Sequence, residues 1–319
     1  MKAAVRSKYG SPGVLSIREI KIPTPKDNEV LIRVCATTVS RTDCHILSGM
    51  PFIMRFFTGL FKPRLAITGS DFAGLIESVG KNVKSFKSAD MVMGFGGVFG
   101  CGSHAQYFTL PETGAIIIIP ANINYEQAAA CIEGASYALD VVDMVKPGAG
   151  QKALVIGATG AIGSSTVQFL KFHGVHITAV CGNENRELVE SLGADKVIDY
   201  KNDDFTNDNE RYDFVFDSVS KSTFGKCKHL LKKKGIYTSS GGVQNIFPML
   251  ITPFLGGKKV LFRPPKNIKA GLSIIKDLIE KENFRPVIDR KYPIEKIAEA
   301  FKYVATGQKI GNVIITMDA

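Results

Sequence analysis

Residues 153–163 read ALVIGATGAIG: a short apolar run, then Gly157, Gly160 and Gly163 spaced three apart. The continuation AIGSSTVQFLKFHG (161–174) has helical apolar spacing and stops at a glycine. A buried strand that turns on glycines straight into a helix belongs to a parallel sheet covered by helices on both faces. Glycine permits the tight turn and brings the backbone close to a pyrophosphate. The helix N-terminus adds unsatisfied N–H groups and the positive end of a dipole. Gly163 lets the helix pack on the strand. With Thr159, Ala161 and Ile162 between them, these glycines form the expected phosphate-facing turn.

The stretches that follow repeat the alternation. VHITAV (175–180), KVIDY (196–200), YDFVFDSV (212–219) and GIYTSS (235–240) read as strands. ENRELVESLG (184–193) and TFGKCKHLLKKKG (223–235) read as helices. Earlier, EVLIRVCATTV (29–39) and FAGLIESVG (72–80) are β-rich and bounded by Gly or Pro. The tail predicts a strand KKVLF (258–262), helices over 268–282 and 294–307, and a last strand NVIITM (312–317). The expected fold class is α/β: a doubly wound parallel sheet preceded by a β-rich lobe, with the ends of the chain folding together.

Charge supports two lobes. Residues 1–122 carry 14 Lys+Arg against 8 Asp+Glu, a net +6; residues 123–255 carry 13 against 15, a net −2; residues 256–319 carry 13 against 7, again +6. A basic lobe attracts anionic cofactors, lipid headgroups or nucleic acid, or it merely solubilises. No nucleic-acid module is recognisable, so nucleic acid is not the expected partner. The six cysteines are scattered with no C-x-x-C pair, which points to reduced thiols in a cytoplasmic setting. The start MKAAVRSKYG lacks a signal-peptide pattern, and the longest apolar stretches are too short to span a bilayer.

In a site for NAD, an acid about 20 residues past the glycines meets the ribose 2′-OH. Here the second strand ends in Cys181, Gly182 and Asn183, with Glu184 falling later and Arg186 nearby. Asn and Arg donors suit a 2′-phosphate, so NADPH is expected over NADH, unless Arg186 merely points to solvent.

The stretches VSRTDCHILSG (39–49), ITGSDFAGLIESVGKNV (67–83), VIGATGAIGSSTVQFLKFHG (155–174), ELVESLGADKVIDY (187–200), YDFVFDSV (212–219) and RPVIDRKYPIEKIAEAFKYVATGQKIGNVII (285–315) carry a resemblance over nearly the whole chain. It resembles the medium-chain dehydrogenase/reductase superfamily, in its zinc-independent, quinone oxidoreductase-like branch. The resemblance implies a Rossmann dinucleotide-binding domain, at about 123–261, and a GroES-like catalytic domain built from 1–122 and 262–319. It also implies an active site in the cleft between them and a homodimer, for which KKVLF is a candidate pairing edge.

Zinc dehydrogenases of the superfamily use a Cys in the first stretch and a His in a G-H-E triplet in the second. This chain has Ser40 and Gly69-Ser70-Asp71 there, with the third ligand falling near Cys131. The family's structural zinc lobe needs four close cysteines, and Cys101 stands alone in that region. No metal is expected at either site. Without a Lewis acid, hydride transfer favours an acceptor that spreads its own developing charge, such as a quinone or a conjugated enone or enal. Two rivals are a zinc-type alcohol dehydrogenase and a dinucleotide-binding sensor without turnover.

Carried over by position, Arg41 matches a cofactor-pyrophosphate contact and Thr42 a hydroxyl beside the substrate oxygen. Asp43 matches a family acid, read also as a fold-stabilising group, and Ser40 stands where quinone reductases usually show Asn. Ser136 resembles the hydroxyl near the nicotinamide, and Tyr200 the aromatic beside an adenosine 2′-phosphate. Cys181, Asn183, Ser218, Val219, Ser240 and Gly241 lie at carboxyl ends of strands, where open α/β sheets bind ligands. Phe52 and Phe56, in MPFIMRFFTGLFKPRL (50–65), are candidates for a mouth around a flat hydrophobic acceptor, for peripheral membrane contact, or for plain packing. The five histidines show no ligand spacing.

Overall fold

The computed structural model describes residues 1–97, 101–241, 243–262 and 267–317. In chain order its strands and helices begin with β1 (Lys2–Val5), β2 (Ser16–Glu19), β3 (Glu29–Val39), α1 (Arg41–Ser48), α2 (Met54–Thr58), β4 (Asp71–Val79), β5 (Met91–Phe95), β6 (Tyr107–Pro111) and β7 (Ala115–Ile118). The middle holds α3 (Tyr125–Ala130), α4 (Glu133–Val145), β8 (Lys152–Ile156), α5 (Ala161–Phe172), β9 (His176–Cys181), α6 (Arg186–Ser191), β10 (Lys196–Asp199), β11 (Tyr212–Asp217), α7 (Phe224–Cys227), β12 (Leu231–Ser239), α8 (Ile246–Ile251) and β13 (Lys259–Leu261). The chain closes with α9 (Ile268–Glu280), β14 (Ile288–Pro293), α10 (Ile297–Ala305) and β15 (Asn312–Thr316). It divides into two compact units, residues 1–133 with 268–319, and residues 134–267.

The first unit is organised around β3, which pairs antiparallel with β15, β4 and β6. Alternation along β3 sends Val30, Ile32 and Val34 into one core with Phe72, Ile76, Phe301 and Ile315. The opposite face, at Ala36 on β3, Ala73 on β4 and Met93 on β5, packs on Ala128, Ala129 and Ala130 of α3 and Leu272 of α9. Small residues on both sides allow helix and sheet to approach closely. This contact places 123–133 with the antiparallel sheet, where the sequence reading assigned them to the nucleotide lobe. The later boundary falls at 267/268 instead of 261/262.

The second unit is a six-stranded sheet in the order β10-β9-β8-β11-β12-β13. Every pairing in it is parallel. The order reverses between β8 and β11, the point at which such sheets bind ligands. Continuous buried runs, such as Ala153–Ile156 on β8 and Phe214–Asp217 on β11, reflect burial on both faces. One element differs from the sequence reading. The expected helix over 223–235 is helical only through Leu230, and Leu231 already pairs with Tyr212. Lys232 is held there by Asp213 at 2.7 Å while Lys233 and Lys234 stay exposed, so three lysines extend an edge of β12 that helical spacing had claimed. β13 ends the sheet. Among the described residues no helix is long and apolar enough to cross a membrane.

Candidate active site

In the second unit, β8 delivers the chain to Gly157 at φ +73°, a left-handed conformation that L side chains rarely adopt. A Cβ there would lie 2.4 Å from Val219 Cγ1. A Cβ on Gly163 would lie 2.1 Å from the Gly157 carbonyl oxygen, so glycine is what lets α5 cross the turn. Gly160 differs: its Cβ would meet the Gly157 oxygen at 3.5 Å, an ordinary contact, and the fold itself has room for it. Gly160 caps α5 in extended conformation with no side-chain partner, and the first helical bond is Ser164 N–H to Gly160 at 2.8 Å. The N–H groups of Ala161, Ile162 and Gly163 therefore precede the helical ladder and face outward as donors. The cradle suits a pyrophosphate.

Ile162, Thr166, Asp217, Ser218, Ser239 and Ser240 line a pocket beside this turn. Asp217, 1% exposed, shapes it. Its Oδ2 accepts from Ser222 N–H (2.8 Å) and the Tyr237 hydroxyl (3.1 Å), and its Oδ1 from Val219 and Lys221 N–H (3.3 and 3.2 Å). That network bends the chain so that Ser218 and Val219 stand at the strand end. Ser220 reaches Ser240 Oγ at 3.1 Å, and Ser239 Oγ donates to the Gly241 carbonyl at 2.7 Å. Ser136, on α4, is buried, and its hydroxyl has no partner among the described residues.

Past β9, Arg186 Nε donates to Asn183 Oδ1 at 2.9 Å, and its other end meets Glu190 at 3.5 Å. Arg186 is thus folded over Asn183. Glu184 is paired with Lys201 at 2.6 Å, and that hydrogen bond holds its carboxyl below the ordinary range. Lys201 follows Tyr200, which is exposed at the end of β10, and was not singled out from the sequence. It is 17 residues from Glu184, and only the parallel pairing of β9 with β10 brings the two together. Cys181 is buried, and burial pushes its thiol up to about 11.

The first unit gathers the other candidates at the start of α1. Ser40 is its N-cap in a full capping box: Asp43 N–H donates to Ser40 Oγ, and Asp43 Oδ2 accepts from Ser40 N–H and Oγ at 2.9 and 2.8 Å. The Thr42 hydroxyl donates to the carboxylate of Glu133, which sequence reasoning missed; an acid opening a helix is ordinary, and 91 residues separate the pair. Asp71 accepts from Thr38 Oγ1 at 2.8 Å. Burial pushes Asp43 up to about 6, Glu133 up to about 7 and Asp71 well above the usual range; repulsion from Asp43 adds to the rise at Glu133, and repulsion from Glu133 and Asp43 to that at Asp71. Asp43 Oδ1, Asp71 Oδ1, Glu133 Oε2 and Ser70 Oγ are buried without a partner among the described residues. Arg41 is exposed and donates to the Ala305 carbonyl at 3.1 Å. Phe52 and Phe56 form an edge-to-face pair at 5.9 Å, and each stays more than half exposed, at 53% and 59%.

These donors do not suit zinc. Ser40 and Ser70 present hydroxyls, Cys131 is fully buried with its thiol pushed well above the ordinary range, and Glu133 is engaged by Thr42. Cys101 sits 3.7 Å from the Ser70 carbonyl, with burial pushing its thiol up to about 12. His104 has both ring nitrogens engaged, by Thr68 Oγ1 and the Thr38 carbonyl, each at 2.8 Å. Among the described residues no group of three His, Cys, Asp or Glu side chains is placed to hold a metal ion.

An antiparallel unit and a parallel nucleotide-type unit, each with its own cluster of polar groups, define the fold of a two-part α/β oxidoreductase. Residues 26–121 match the alcohol dehydrogenase GroES-like domain, and residues 192–315 match the zinc-binding dehydrogenase family. The chain is 30% identical to the NADPH-dependent alkenal/one oxidoreductase, chloroplastic, of Arabidopsis thaliana over 99% of its own length and 79% of the relative's. It is 29% identical to the quinone oxidoreductase of Homo sapiens, covering 99% and 98%. The quinone oxidoreductase structure from Coxiella burnetii superposes with a TM-score of 0.89 at 22% identity, covering 100% and 99%. The chain belongs to the medium-chain dehydrogenase/reductase superfamily, in its quinone oxidoreductase-like branch, and the family works with a nicotinamide dinucleotide.

Proposed function

We propose that this protein is an NADPH-dependent, metal-free reductase that passes hydride to a quinone or a carbonyl-conjugated alkene. The observation that carries the reading is the donor set around Thr42: hydroxyls, at Ser40 and Ser70, stand where a zinc dehydrogenase needs a thiolate and an imidazole, with buried protonatable carboxyls beside them. The names of relatives that reduce alkenals, enones and quinones point the same way.

The residues of the second unit fit the cofactor. Gly157, Gly160 and Gly163 with the N–H groups of Ala161 and Ile162 would hold the pyrophosphate. Asn183, Arg186 and Lys201, with Tyr200 beside them, would hold a 2′-phosphate, for which the Glu184–Lys201 pair removes the repulsion of a lone acid. When bound, the cofactor supplies the hydride. Thr42 donates a hydrogen bond to the acceptor's oxygen as negative charge develops there. Ser136, with its unsatisfied buried hydroxyl, is the candidate contact for the carboxamide end. We place the enzyme in a reducing cytoplasm, consistent with six free thiols, and read β13 as the pairing edge of a homodimer.

The test is a panel of quinones, enones, enals and simple alcohols, followed by NADPH absorbance with NADH alongside, on protein of measured metal content. Turnover of conjugated acceptors by metal-free protein supports the reading. Stoichiometric zinc with alcohol oxidation, or dinucleotide binding with no turnover of any acceptor, rejects it.

A further inference from the structure

Reducing a conjugated carbonyl or a quinone consumes a proton along with the hydride, and the site must provide it. Asp43, Asp71 and Glu133 are 0%, 2% and 8% exposed and act on one another. The charged groups facing them among the described residues are Arg6, beside Asp43, and Lys309, beside Glu133; Arg41, Asp289 and the Cys44 thiol border Lys309. Buried acids that repel one another cannot all ionise at neutral pH, so the cluster retains a proton. Glu133 is the member with an outlet. One of its oxygens is bonded to the Thr42 hydroxyl, and the Ser40 hydroxyl lies beside the carboxyl.

We propose that Glu133 stores the proton consumed in the reduction and passes it to the substrate oxygen through the Thr42 hydroxyl. The proposal rests on the reductase reading above. Glu133 touches Thr42 rather than the substrate and is a positioning residue in that sense. The step balances as follows. Hydride addition to the acceptor leaves a pair of electrons on its oxygen. The Thr42 O–H bond breaks and an O–H bond forms on the product. With Glu133 protonated the bond between the two runs the other way, the carboxyl donating to Thr42 Oγ and the Thr42 proton turned to the substrate; the Glu133 proton then moves to Thr42 Oγ, and Glu133 is left as the carboxylate that accepts from Thr42 until water reprotonates it. One hydride and one proton make the enol, which becomes the ketone, or the hydroquinone.

Glu133→Gln keeps the shape and the hydrogen bond to Thr42 but holds no transferable proton. For the unsubstituted protein, kcat should be flat at acid pH and fall tenfold per unit as Glu133 ionises, above about pH 7. In E133Q, kcat should drop by about 10²-fold and lose that limb. NADPH affinity should change less than about threefold, since 1.4 kcal/mol would be needed for tenfold. E133D should restore the limb. Infrared spectroscopy should show, beside the buried Asp71 carboxyl, a second protonated carboxyl at about pH 6 that is lost by about pH 9 and is missing in E133Q. An identical pH profile in E133Q, or an unchanged carboxyl band, overturns the proposal. If E133Q does not fold, T42V tests the same relay: it should keep the carboxyl band and lose the steep limb, and retention of the limb overturns the relay. If the unsubstituted protein binds NADPH but reduces no acceptor, the reductase reading fails and takes the relay with it, while the infrared band separately decides whether Glu133 holds the proton.

Discussion

Gly160 and Gly163 lie three residues apart in the same turn, yet they should fail for different reasons when replaced by alanine. At Gly163 a methyl carbon would sit 2.1 Å from the Gly157 carbonyl oxygen and 2.9 Å from Ala158 Cα, both backbone atoms that cannot step aside. Helix propensity favours alanine over glycine by about 1 kcal/mol. Relieving such a contact by shifting backbone costs at least the 1–3 kcal/mol typical of overpacking, and more when main chain must move. We expect G163A to be destabilised by about 2 kcal/mol net, and its Tm to fall by several degrees. At Gly160 the same methyl meets one atom at 3.5 Å, and φ is −69°, so alanine is free of strain. G160A should therefore keep its Tm. If a pyrophosphate lies against this turn, the methyl occupies its space, and the dinucleotide Kd should rise tenfold or more, about 1.4 kcal/mol. Thermal melts and a fluorescence titration with NADPH on both variants decide it. A stable G160A that binds NADPH as tightly as the parent refutes the assignment of this turn to the pyrophosphate.

Replacing Lys201 by alanine should weaken NADPH by roughly ten- to a hundredfold, the range of a lost charged hydrogen bond of about 1.5–3 kcal/mol, and leave NADH within about twofold; equal effects on both would detach Lys201 from the 2′-phosphate. For Glu133, the folded carboxyl sits near 7 against an ordinary 4.5, so the folded state binds the extra proton and loses stability as pH rises between those values. In urea titrations the stability of E133Q relative to the parent should therefore increase from about pH 5 to pH 8 by up to about 3 kcal/mol; a pH-independent difference would mean an ordinary carboxyl. His104→Phe should cost about 2–4 kcal/mol, since it strands the buried Thr68 hydroxyl and the Thr38 carbonyl. Dialysis against a chelator should leave both stability and turnover unchanged.

The local features were readable in advance. A strand, a glycine turn and a helix are built by neighbours in sequence, so ALVIGATGAIG announces its own geometry. Continuous apolar runs likewise announce strands buried on both faces. KHLLKKK shows the limit: its lysines suit a helix or an exposed strand equally, and the pairing of Leu231 with Tyr212 chose the strand. The alanines of α3 could pack on either lobe, and the small residues waiting at Ala36 and Ala73 chose the antiparallel one. The site divides along the same line. Ser40, Thr42 and Asp43 stand within one helical turn, and the family resemblance could name them by position. Glu133 and Lys201 could not, because their partners are reached only when β-strands align and distant segments meet. What the chain determined by itself was where a backbone could bend and which faces were apolar. What folding decided was which charges would share one dry space, and a carboxyl's chemistry follows from that company.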